Sequence, residues 1–349
     1  MAITGARGHV GRLVFGAMAA QALFAAVRLR LADHLGDGQN DVADLAASVG
    51  ADAVSLTRLL RALAALGLMA EPAPAQFHMT ETGALLRTDH PESMAPIVRM
   101  FGDPVMLAGW RDLDTAVRTG LPTFDNVYGT GFFEFLASDP ALCQQFNSAM
   151  AQGTAVAAPL IVSQYDFARF GTIADMGGGD GTLLAAVLRA HPNLRGILFD
   201  SAEGLDGAEH VLHDAGVAQR CATRVGDFRD HAPEGADLYL FKSVLQDWGD
   251  DDVSRMLAGV RRVIPDSGRL VIIDPVLPER VDASVPATMY LGDLNMLVNT
   301  GGRHRTRSEF ETLCRQTGFA ITTASQLPPP VLLSILEASP VTGPRMGGP

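Results

Sequence analysis

The second half of the chain alternates short apolar segments with stretches of helix length, beginning near Gly171. Short apolar runs spaced in this way are typical of strands in a buried parallel sheet whose connections are crossover helices. We therefore predict a doubly wound α/β unit. Its candidate parallel strands lie in the segments TIADMGGG, RGILFD, TRVGDF, ADLYLFKSVL and GRLVIIDPVL.

Two more apolar segments, AITTASQL and VLLSILEAS, follow near the C-terminus and are joined through LPPP with no helix between them. This spacing predicts an antiparallel hairpin that completes a seven-stranded sheet. The tail from Val341 onward is rich in Gly and Pro, and we expect it to be disordered.

The first half of the chain is rich in Ala and Leu at helical spacing from about residue 12 to residue 70. VADLAASVGADAVSLTRLLRALAALGLM indicates a helix-turn-helix, and FHMTETGALLR a small β-wing with a short helix after it. The helical pattern continues from residue 91 to residue 165. We therefore predict an all-helical, winged-helix-like domain over residues 1–165 and an α/β domain over residues 166–349.

A winged helix also occurs in transcription regulators, so a regulator that senses a small molecule is an alternative function. Its recognition helix, around Ser55 to Leu66, would present only Arg58 and Arg61 as cations. The chain carries a formal net charge of -12, which would repel a nucleic-acid backbone. These charges favour a small-molecule substrate and no nucleic-acid partner.

The remaining bulk features narrow the class of protein. No apolar run reaches the roughly 18 residues of a membrane span, and a secretory cleavage pattern is missing. We therefore expect a cytoplasmic protein without a membrane partner. Cys143, Cys221 and Cys314 lie far apart, which argues against a disulfide framework and a thiolate zinc site and favours small buried apolar side chains. His210 and His213 stand three apart without a third ligand, so we expect no metal.

The clearest chemical motif is the glycine-rich turn DMGGGDG, residues 175–181, between a predicted strand and a predicted helix. Glycines allow the backbone to approach a ligand closely and direct a helix N-terminus at it. The next strand ends in Asp200, where an acid can accept both ribose hydroxyls of an adenosine. A third strand ends in Gly226, Asp227 and Phe228, suited to the amine and one face of adenine. Ligands lie outside the carboxyl ends of parallel strands, so these groups are expected to share one crevice.

Six segments together, DMGGGDG, LFD, GDF, FKSVLQDW, VLP and GGRHRT, resemble the O-methyltransferases of plant phenylpropanoids and bacterial aromatic polyketides. The resemblance covers nearly the whole chain. It implies a Rossmann-like fold, an N-terminal dimerisation unit, a homodimer, and S-adenosylmethionine as cofactor with S-adenosylhomocysteine as product. The implied cofactor-binding residues are Asp175, Gly177, Gly179, Asp200, Gly226, Asp227, Phe228, Lys242, Ser243 and Trp248.

The chain departs from this family at the catalytic position. Where the family carries a histidine base, this chain has Gln246, and a carboxamide cannot take a proton at neutral pH. The acids that orient the base correspond to Asp274 and His304. Three explanations stay open: methyl transfer driven mainly by proximity, with Gln246 orienting the substrate; His304 as a replacement base; or other chemistry on the same fold, such as decarboxylation, hydroxylation, rearrangement or C-methylation.

The resemblance also suggests a flat, apolar substrate pocket for an aromatic secondary metabolite. The helical stretch MYLGDLNMLVNTGG would form its roof. Candidate substrate contacts are Trp110, Phe133, Asn147, Met150, Asn295 and Met296, each of which could equally be a core residue.

Overall fold

The computed structural model describes residues 5–36, 38 and 40–341. The predicted disorder from Val341 onward falls, apart from Val341 itself, outside the described residues. Contacts divide the chain into two compact units, residues 1–107 and 108–349. The helices between residues 108 and 165 therefore pack in the same unit as the sheet. The predicted boundary between the two domains at residue 165 stays a prediction.

The first unit contains a helix-turn-helix followed by a β-hairpin. Its elements are α1 (Ala6–Arg28), α2 (Leu31–Leu35), β1 (Asn40–Asp41), α3 (Val42–Val49), α4 (Ala53–Ala65), β2 (Met69–Ala73), β3 (Gln76–Met79), α5 (Glu81–Ala84), α6 (Ala95–Phe101) and, across the division, α7 (Pro104–Ala108). The strands form a small sheet in the order β1-β3-β2. Helix, turn, helix and hairpin follow in the order predicted from the sequence.

Local signals explain where the helix-turn-helix begins and ends. Asp41 caps α3 by accepting the amide of Ala43, and Asp52 caps α4 by accepting the amide of Ser55. Gly50, in the left-handed region at φ 65°, ends α3. Arg61 of α4 forms an ion pair with Glu71 of β2, which leaves this helix with less unpaired positive charge than the sequence suggested. This pairing further weakens the DNA-binding alternative.

Helix α1 exposes five large apolar side chains, Val10, Leu13, Val14, Phe15 and Met18. By length and composition it would be long enough to cross a membrane, with a mean hydropathy of 1.6 over its best window. The prediction that no apolar stretch is long enough to span a membrane is therefore wrong for α1, judged by length and composition alone. One such helix near the N-terminus is weak evidence for a span, and the absence of a membrane partner stays a prediction.

The second unit is built around a seven-stranded sheet. Its elements are α8 (Leu113–Thr119), α9 (Phe124–Tyr128), α10 (Phe132–Ser138), α11 (Pro140–Gln164), β4 (Thr172–Met176), α12 (Thr182–Ala190), β5 (Arg195–Asp200), α13 (Ala208–Asp214), β6 (Cys221–Val225), β7 (Leu238–Lys242), α14 (Asp250–Val263), β8 (Arg269–Asp274), β9 (Val276–Leu277), α15 (Ala287–Asn299), β10 (Arg305–Thr306), α16 (Arg307–Gln316), β11 (Phe319–Gln326) and β12 (Ser334–Pro340).

The strand order is β11-β12-β8-β7-β4-β5-β6. The five strands from β8 to β6 run parallel, and β11 and β12 form an antiparallel hairpin beside β8. Both features confirm the prediction from the apolar segments. Since β5 and β7 flank β4, the chain leaves β4 in one direction and returns on its other side, which opens a crevice at the carboxyl end of β4.

Alternate side chains of the strands enter two cores, one on each face of the sheet. In β7, Leu238 and Leu240 pack against α11 and α12, whereas Tyr239 and Phe241 pack against α14 and α16. Strands buried on both faces read as continuous apolar runs, as β7 does. The two cores fix the carboxyl ends of β4, β5 and β7 relative to one another.

Candidate active site

A cavity of about 450 Å³ opens at the carboxyl ends of β4, β5, β6 and β7, inside the second unit. Every residue predicted to hold the cofactor lines it. These are Asp175, Gly177, Gly179, Asp200, Gly226, Asp227, Phe228, Lys242, Ser243 and Trp248. The sequence therefore predicted correctly which strand ends meet, while the roles of the individual residues stay predictions.

The glycine-rich turn needs glycine for two separate reasons. Gly177 and Gly179 have φ of 70° and 58°, a region that side chains disfavour. At Gly178 a Cβ would lie 2.5 Å from Cδ1 of Leu198 and 2.8 Å from Cγ of Asp175. The turn thus exposes backbone to the cavity where any side chain would be strained or would clash.

Asp200 is held by main-chain donors at the end of β5. Its Oδ2 accepts the amide of Gly179 at 2.8 Å and its Oδ1 the amide of Ser201 at 2.7 Å. Burial raises the pKa of Asp200, and the two amides oppose the rise. The carboxylate is therefore fixed in orientation and keeps lone pairs for a diol such as a ribose.

The opposite end of the cavity is aromatic. The ring of Trp248 stacks on Phe133 with centroids 5.3 Å apart and meets Phe228 edge-on at 6.2 Å. Arg229 lies over Trp248, 4.6 Å from its centroid, and holds both oxygens of Asp227. The Arg229 guanidinium lowers the pKa of Asp227. This end suits a flat heterocycle beside a carboxylate that stays ionised.

Charged side chains cluster between these two ends. Burial lowers the pKa of Lys242, and the surrounding carboxylates of Asp274, Asp175 and Asp247 oppose that change. Burial and the nearby Asp200 raise the pKa of Asp175 to about 7. Burial raises the pKa of Asp274 to about 7 against the attraction of Arg305 and Lys242. The cluster is a charge-rich centre in which three carboxyl groups share one lysine.

The turn after β7 is clamped by a segment near β10. Arg305 is fully buried and donates to the carbonyls of Leu245 and Trp248, at 2.8 Å each, and to Asp250. The amide of Arg303 donates to the carbonyl of Gln246 at 2.8 Å. Gly302 lies so close that a Cβ there would be 2.1 Å from that carbonyl oxygen. The turn 245–248 is therefore rigid.

The three residues predicted to be catalytic are placed outside the cavity. In the part of the chain that the structure describes, Gln246, Asp274 and His304 do not contribute to its lining. Asp274 is fully buried, and its carboxylate oxygens have no hydrogen-bond partner among the described residues. The amides of Ser243 and Gln246 lie near this carboxylate and lower its pKa, although neither forms a full hydrogen bond with it.

His304 faces helix α15. Its Nδ1 lies 3.1 Å from the carbonyl oxygen of Met289, and its amide donates to Asp293 at 2.7 Å. Burial lowers the pKa of His304, and Arg305 adds to this effect. A base role for His304 is a poorer fit to this position than a structural one.

The predicted substrate residues divide into two groups. Phe133, Asn147 and Met150, on α10 and α11, line the cavity. Trp110, Asn295 and Met296 do not line it. Instead, Nε1 of Trp110 donates to Oδ1 of Asn295 at 3.0 Å, and Asn295 is buried. Their predicted role as substrate contacts stays a prediction.

Among the residues that the structure places in or under the site, several polar ones received no site role from the sequence. They include Thr154, Arg229, Asp247 and Arg305. Of these four, only Asp247 and Arg305 carried a signal, because they stand in the segments FKSVLQDW and GGRHRT. Tertiary packing brings Thr154 and Arg229 to the cavity, and the sequence gives no sign of it.

The other candidate side chains lie apart from the site, except Cys143. His210 and His213 are exposed beside Asp214, and no three ligating side chains within residues 5–36, 38 and 40–341 are grouped to hold a metal. Cys143, Cys221 and Cys314 are free thiols. Cys314 is fully buried, while Cys143 and Cys221 are partly exposed, and Cys143 lines the cavity.

Fold and cavity together define a Rossmann-like methyltransferase with an N-terminal helical domain, and comparison with known proteins agrees. The sequence model of the O-methyltransferase domain matches residues 110–320, and that of the O-methyltransferase dimerisation domain matches residues 12–89. The chain belongs to this O-methyltransferase family, which confirms the resemblance found in the sequence.

Individual relatives are similar over nearly their full lengths. O-demethylpuromycin-O-methyltransferase of Streptomyces alboniger is 42% identical over 339 residues, which cover 97% of this chain and 90% of that protein. The crystal structure of LaPhzM superposes with a TM-score of 0.90 at 38% identity, covering 97% and 100% of the two chains. NcsB1, solved with S-adenosylmethionine and 2-hydroxy-5-methyl naphthoic acid, gives 0.79 at 33% identity, covering 92% and 96%.

Proposed function

We propose that this chain transfers a methyl group from S-adenosylmethionine to a hydroxyl of an aromatic secondary metabolite. The observation that carries the proposal is that ten residues, chosen from sequence as cofactor contacts, line one cavity in a chain of the O-methyltransferase family. The family match favours methyl transfer over non-methylating chemistry and over a DNA-binding regulator.

The residues present fit the cofactor. The glycine-rich turn is a cradle that side chains would fill, and Asp200 is already oriented for a diol. Asp175 lines the cavity beneath this turn, with its Oδ2 buried. Asp175, Gly177 and Gly179 would hold the methionine part, Asp200 the ribose, and Asp227 with Phe228 the adenine.

When bound, S-adenosylmethionine supplies an electrophilic methyl group whose carbon–sulfur bond breaks with its electron pair remaining on sulfur. The chain contributes alignment of the acceptor, and positioning alone can lower a barrier by roughly 7 to 11 kcal/mol. Phe133, Phe146 and Met150 give the cavity an apolar wall, which suits an aromatic acceptor. Gln246 does not line the cavity, so any effect it has on the substrate passes through the clamped turn.

The test is transfer of label. Purified protein is incubated with methyl-labelled S-adenosylmethionine and a panel of phenolic polyketides and hydroxylated aromatic acids, and products are followed by mass spectrometry. Label in a product, abolished by excess S-adenosylhomocysteine, supports the proposal, and fragmentation locates the modified atom. Tight cofactor binding with consumption of an acceptor that gains no label would contradict it.

We also propose that the chain acts as a homodimer in the cytoplasm. Residues 12–89 match the dimerisation domain, and Leu13 and Phe15 of α1 are apolar and more than 60% exposed. Glutamate at both positions is expected to yield monomers in analytical ultracentrifugation. Val117→Glu, at a comparably exposed apolar position of α8, is the control and should leave the dimer intact. A monomeric wild-type protein would contradict the proposal.

A further inference from the structure

Building on the proposed methyl transfer, we propose that Asp247 accepts the proton of the acceptor hydroxyl. The resemblance assigns that task to the histidine replaced here by Gln246, and assigns Asp247 none. Asp247 lines the cavity, whereas Gln246, Asp274 and His304 do not, within the described part of the chain. The inference depends on which carboxylate of the cavity is positioned and free to take a proton.

The other carboxylates of the wall are already engaged. Both carboxylate oxygens of Asp227 accept hydrogen bonds from the Arg229 guanidinium. Asp200 accepts two main-chain amides, and Asp180 accepts the amide of Thr182 at 3.0 Å. An acceptor oxygen committed to such donors is a weaker proton acceptor, because hydrogen bonds to the ionised form favour that form.

Two more acids line the cavity and are placed unfavourably for this task. Asp175 is only 1% exposed, at the base of the glycine-rich turn, and its Oδ2 has no contact with solvent. Glu203 is exposed and close to Asp200, and its carbonyl accepts a hydrogen bond from Asn147 of α11 at 2.9 Å. An exposed side chain is surrounded by water and is not held in one orientation towards an acceptor, as a general base must be.

Asp247 differs from all of these. It ends the short 3-10 helix Leu245–Asp247, and its side chain has no hydrogen-bond partner among the described residues. The turn around it is rigid because Arg305 binds the carbonyls on both sides. Ser243, at φ 55°, reverses the chain sharply after β7 and directs this turn to the cavity. A general base must reach the acceptor proton with a free lone pair, and a fixed, unpaired carboxylate in the wall of the cavity offers one.

The charges around Asp247 strengthen it as a base. Lys242, at the end of β7, and Asp274, at the end of β8, are the charged groups that act on it. Burial and Asp274 raise the pKa of Asp247 well above its ordinary value, and Lys242 opposes them. A higher pKa brings a carboxylate closer to that of a phenol, so the proton transfer costs less. The rate is then expected to rise with pH as Asp247 ionises.

The proposed step balances without a further reagent. The O–H bond of the acceptor breaks, and its proton forms a bond to an Oδ of Asp247. The electron pair left on the acceptor oxygen forms the new bond to the methyl carbon. Asp247 then releases the proton to water after the product has left, which restores the carboxylate.

The test compares Asp247→Asn with the wild type and with Asp214→Asn, which removes an exposed carboxylate that does not line the cavity. For an acceptor that is neutral at the assay pH, Asp247→Asn is expected to lower kcat by about 100-fold or more, the usual range for general-base catalysis. For a more acidic phenol that is already ionised, the loss should be within about tenfold, since no proton must be taken. Asp214→Asn should match the wild type with both acceptors.

A spectroscopic measurement tests the same inference without turnover. A chromophoric phenol is bound to the complex with S-adenosylhomocysteine, and its phenolate absorbance is followed against pH. In the wild type the bound phenol should ionise at lower pH than in the Asp247→Asn protein. S-adenosylhomocysteine affinity, measured by calorimetry, should be equal in the two proteins and shows that the variant is folded.

The outcomes separate the two proposals. If the wild type labels an acceptor while Asp247→Asn keeps its rate and the same phenolate titration, the inference about Asp247 is wrong and methyl transfer stands. If the wild type transfers label to no acceptor that it binds, the proposed methyl transfer is wrong, and the proposed role of Asp247 as a base is wrong as well.

Discussion

Lys242 donates a hydrogen bond to Thr154, with Nζ 2.9 Å from Oγ1. The contact joins the carboxyl end of β7 to the middle of α11, the helix that also carries Asn147 and Met150. The same hydroxyl donates to the carbonyl of Met150 at 2.8 Å. Because burial lowers the pKa of Lys242 and so disfavours its charged form, this neutral acceptor helps to keep the ammonium charged.

Replacement of Thr154 should therefore weaken the fold. Thr154→Val keeps the shape and removes the acceptor, and we expect the free energy of unfolding to fall by about 1 to 3 kcal/mol in urea titrations. Thr154→Ser keeps the hydroxyl and is the matched control, with a loss below about 1 kcal/mol from the missing methyl group. Equal losses in the two variants would show that the contact with Lys242 contributes nothing.

The buried Asp274 should make stability depend on pH in a defined direction. Its pKa is raised to about 7 in the folded chain, above its ordinary value of 3.8. A group with a raised folded pKa stabilises fully below its unfolded pKa, and that contribution is lost as pH rises through the folded pKa. Between about pH 4 and pH 7 the folded state thus loses up to about 1.4 kcal/mol per pH unit from this group.

Asp274→Asn removes the titration, and urea unfolding at several pH values measures the result. Relative to the wild type, the variant should become progressively more stable from pH 5 to pH 7, whatever the two stabilities are at pH 5. Asp266→Asn, at an exposed position beside Arg261, is the control and should show no such trend. A pH-independent difference between Asp274→Asn and the wild type would mean that the buried carboxyl does not titrate there.

Asp200 should determine cofactor affinity. Asp200→Asn replaces one acceptor oxygen with a donor that faces the amide of Gly179 or that of Ser201. We expect the Kd for S-adenosylhomocysteine to rise by about 10- to 100-fold in calorimetry, as for a lost charge-assisted hydrogen bond. Asp214→Asn, at an exposed position outside the cavity, removes a charge and should leave the Kd unchanged. Similar Kd values for Asp200→Asn and the wild type would remove Asp200 from the cofactor site.

The sequence predicted the sheet and its crevice because both depend on local patterns. An apolar run such as LYLF in β7 has to be buried on both faces, and the glycines of residues 177–181 are required by the local φ angles and by close contacts. The rule that parallel strands present ligands at their carboxyl ends then brings Asp200 and Asp227 together. This part of the site follows from elements that are close to each other in the chain.

The rest depended on contacts between residues far apart in the chain. Arg305 lies nearly 60 residues from the turn that it clamps, and nothing in GGRHRT distinguishes a buried guanidinium from an exposed one. The hydrogen bond between Trp110 and Asn295 joins residues 185 positions apart, and the sequence does not show it. The helices between residues 108 and 165 resemble the first half of the chain in composition, yet their contacts group them with the sheet. The predicted substrate contacts and the predicted domain boundary at residue 165 stay predictions.

Replacement of Gln246 tests whether this position takes part in proton transfer. Its carboxamide cannot act as a base, and its side chain makes no hydrogen bond among the described residues, while its carbonyl is bound by the amide of Arg303. Gln246→Ala keeps that main-chain contact, so turnover is expected to fall within about tenfold in steady-state assays. Asp247→Asn, one residue further on, gives the comparison, with a loss of about 100-fold or more. A loss of about a thousandfold for Gln246→Ala would contradict methyl transfer driven by alignment and would place the carboxamide at the reacting atoms.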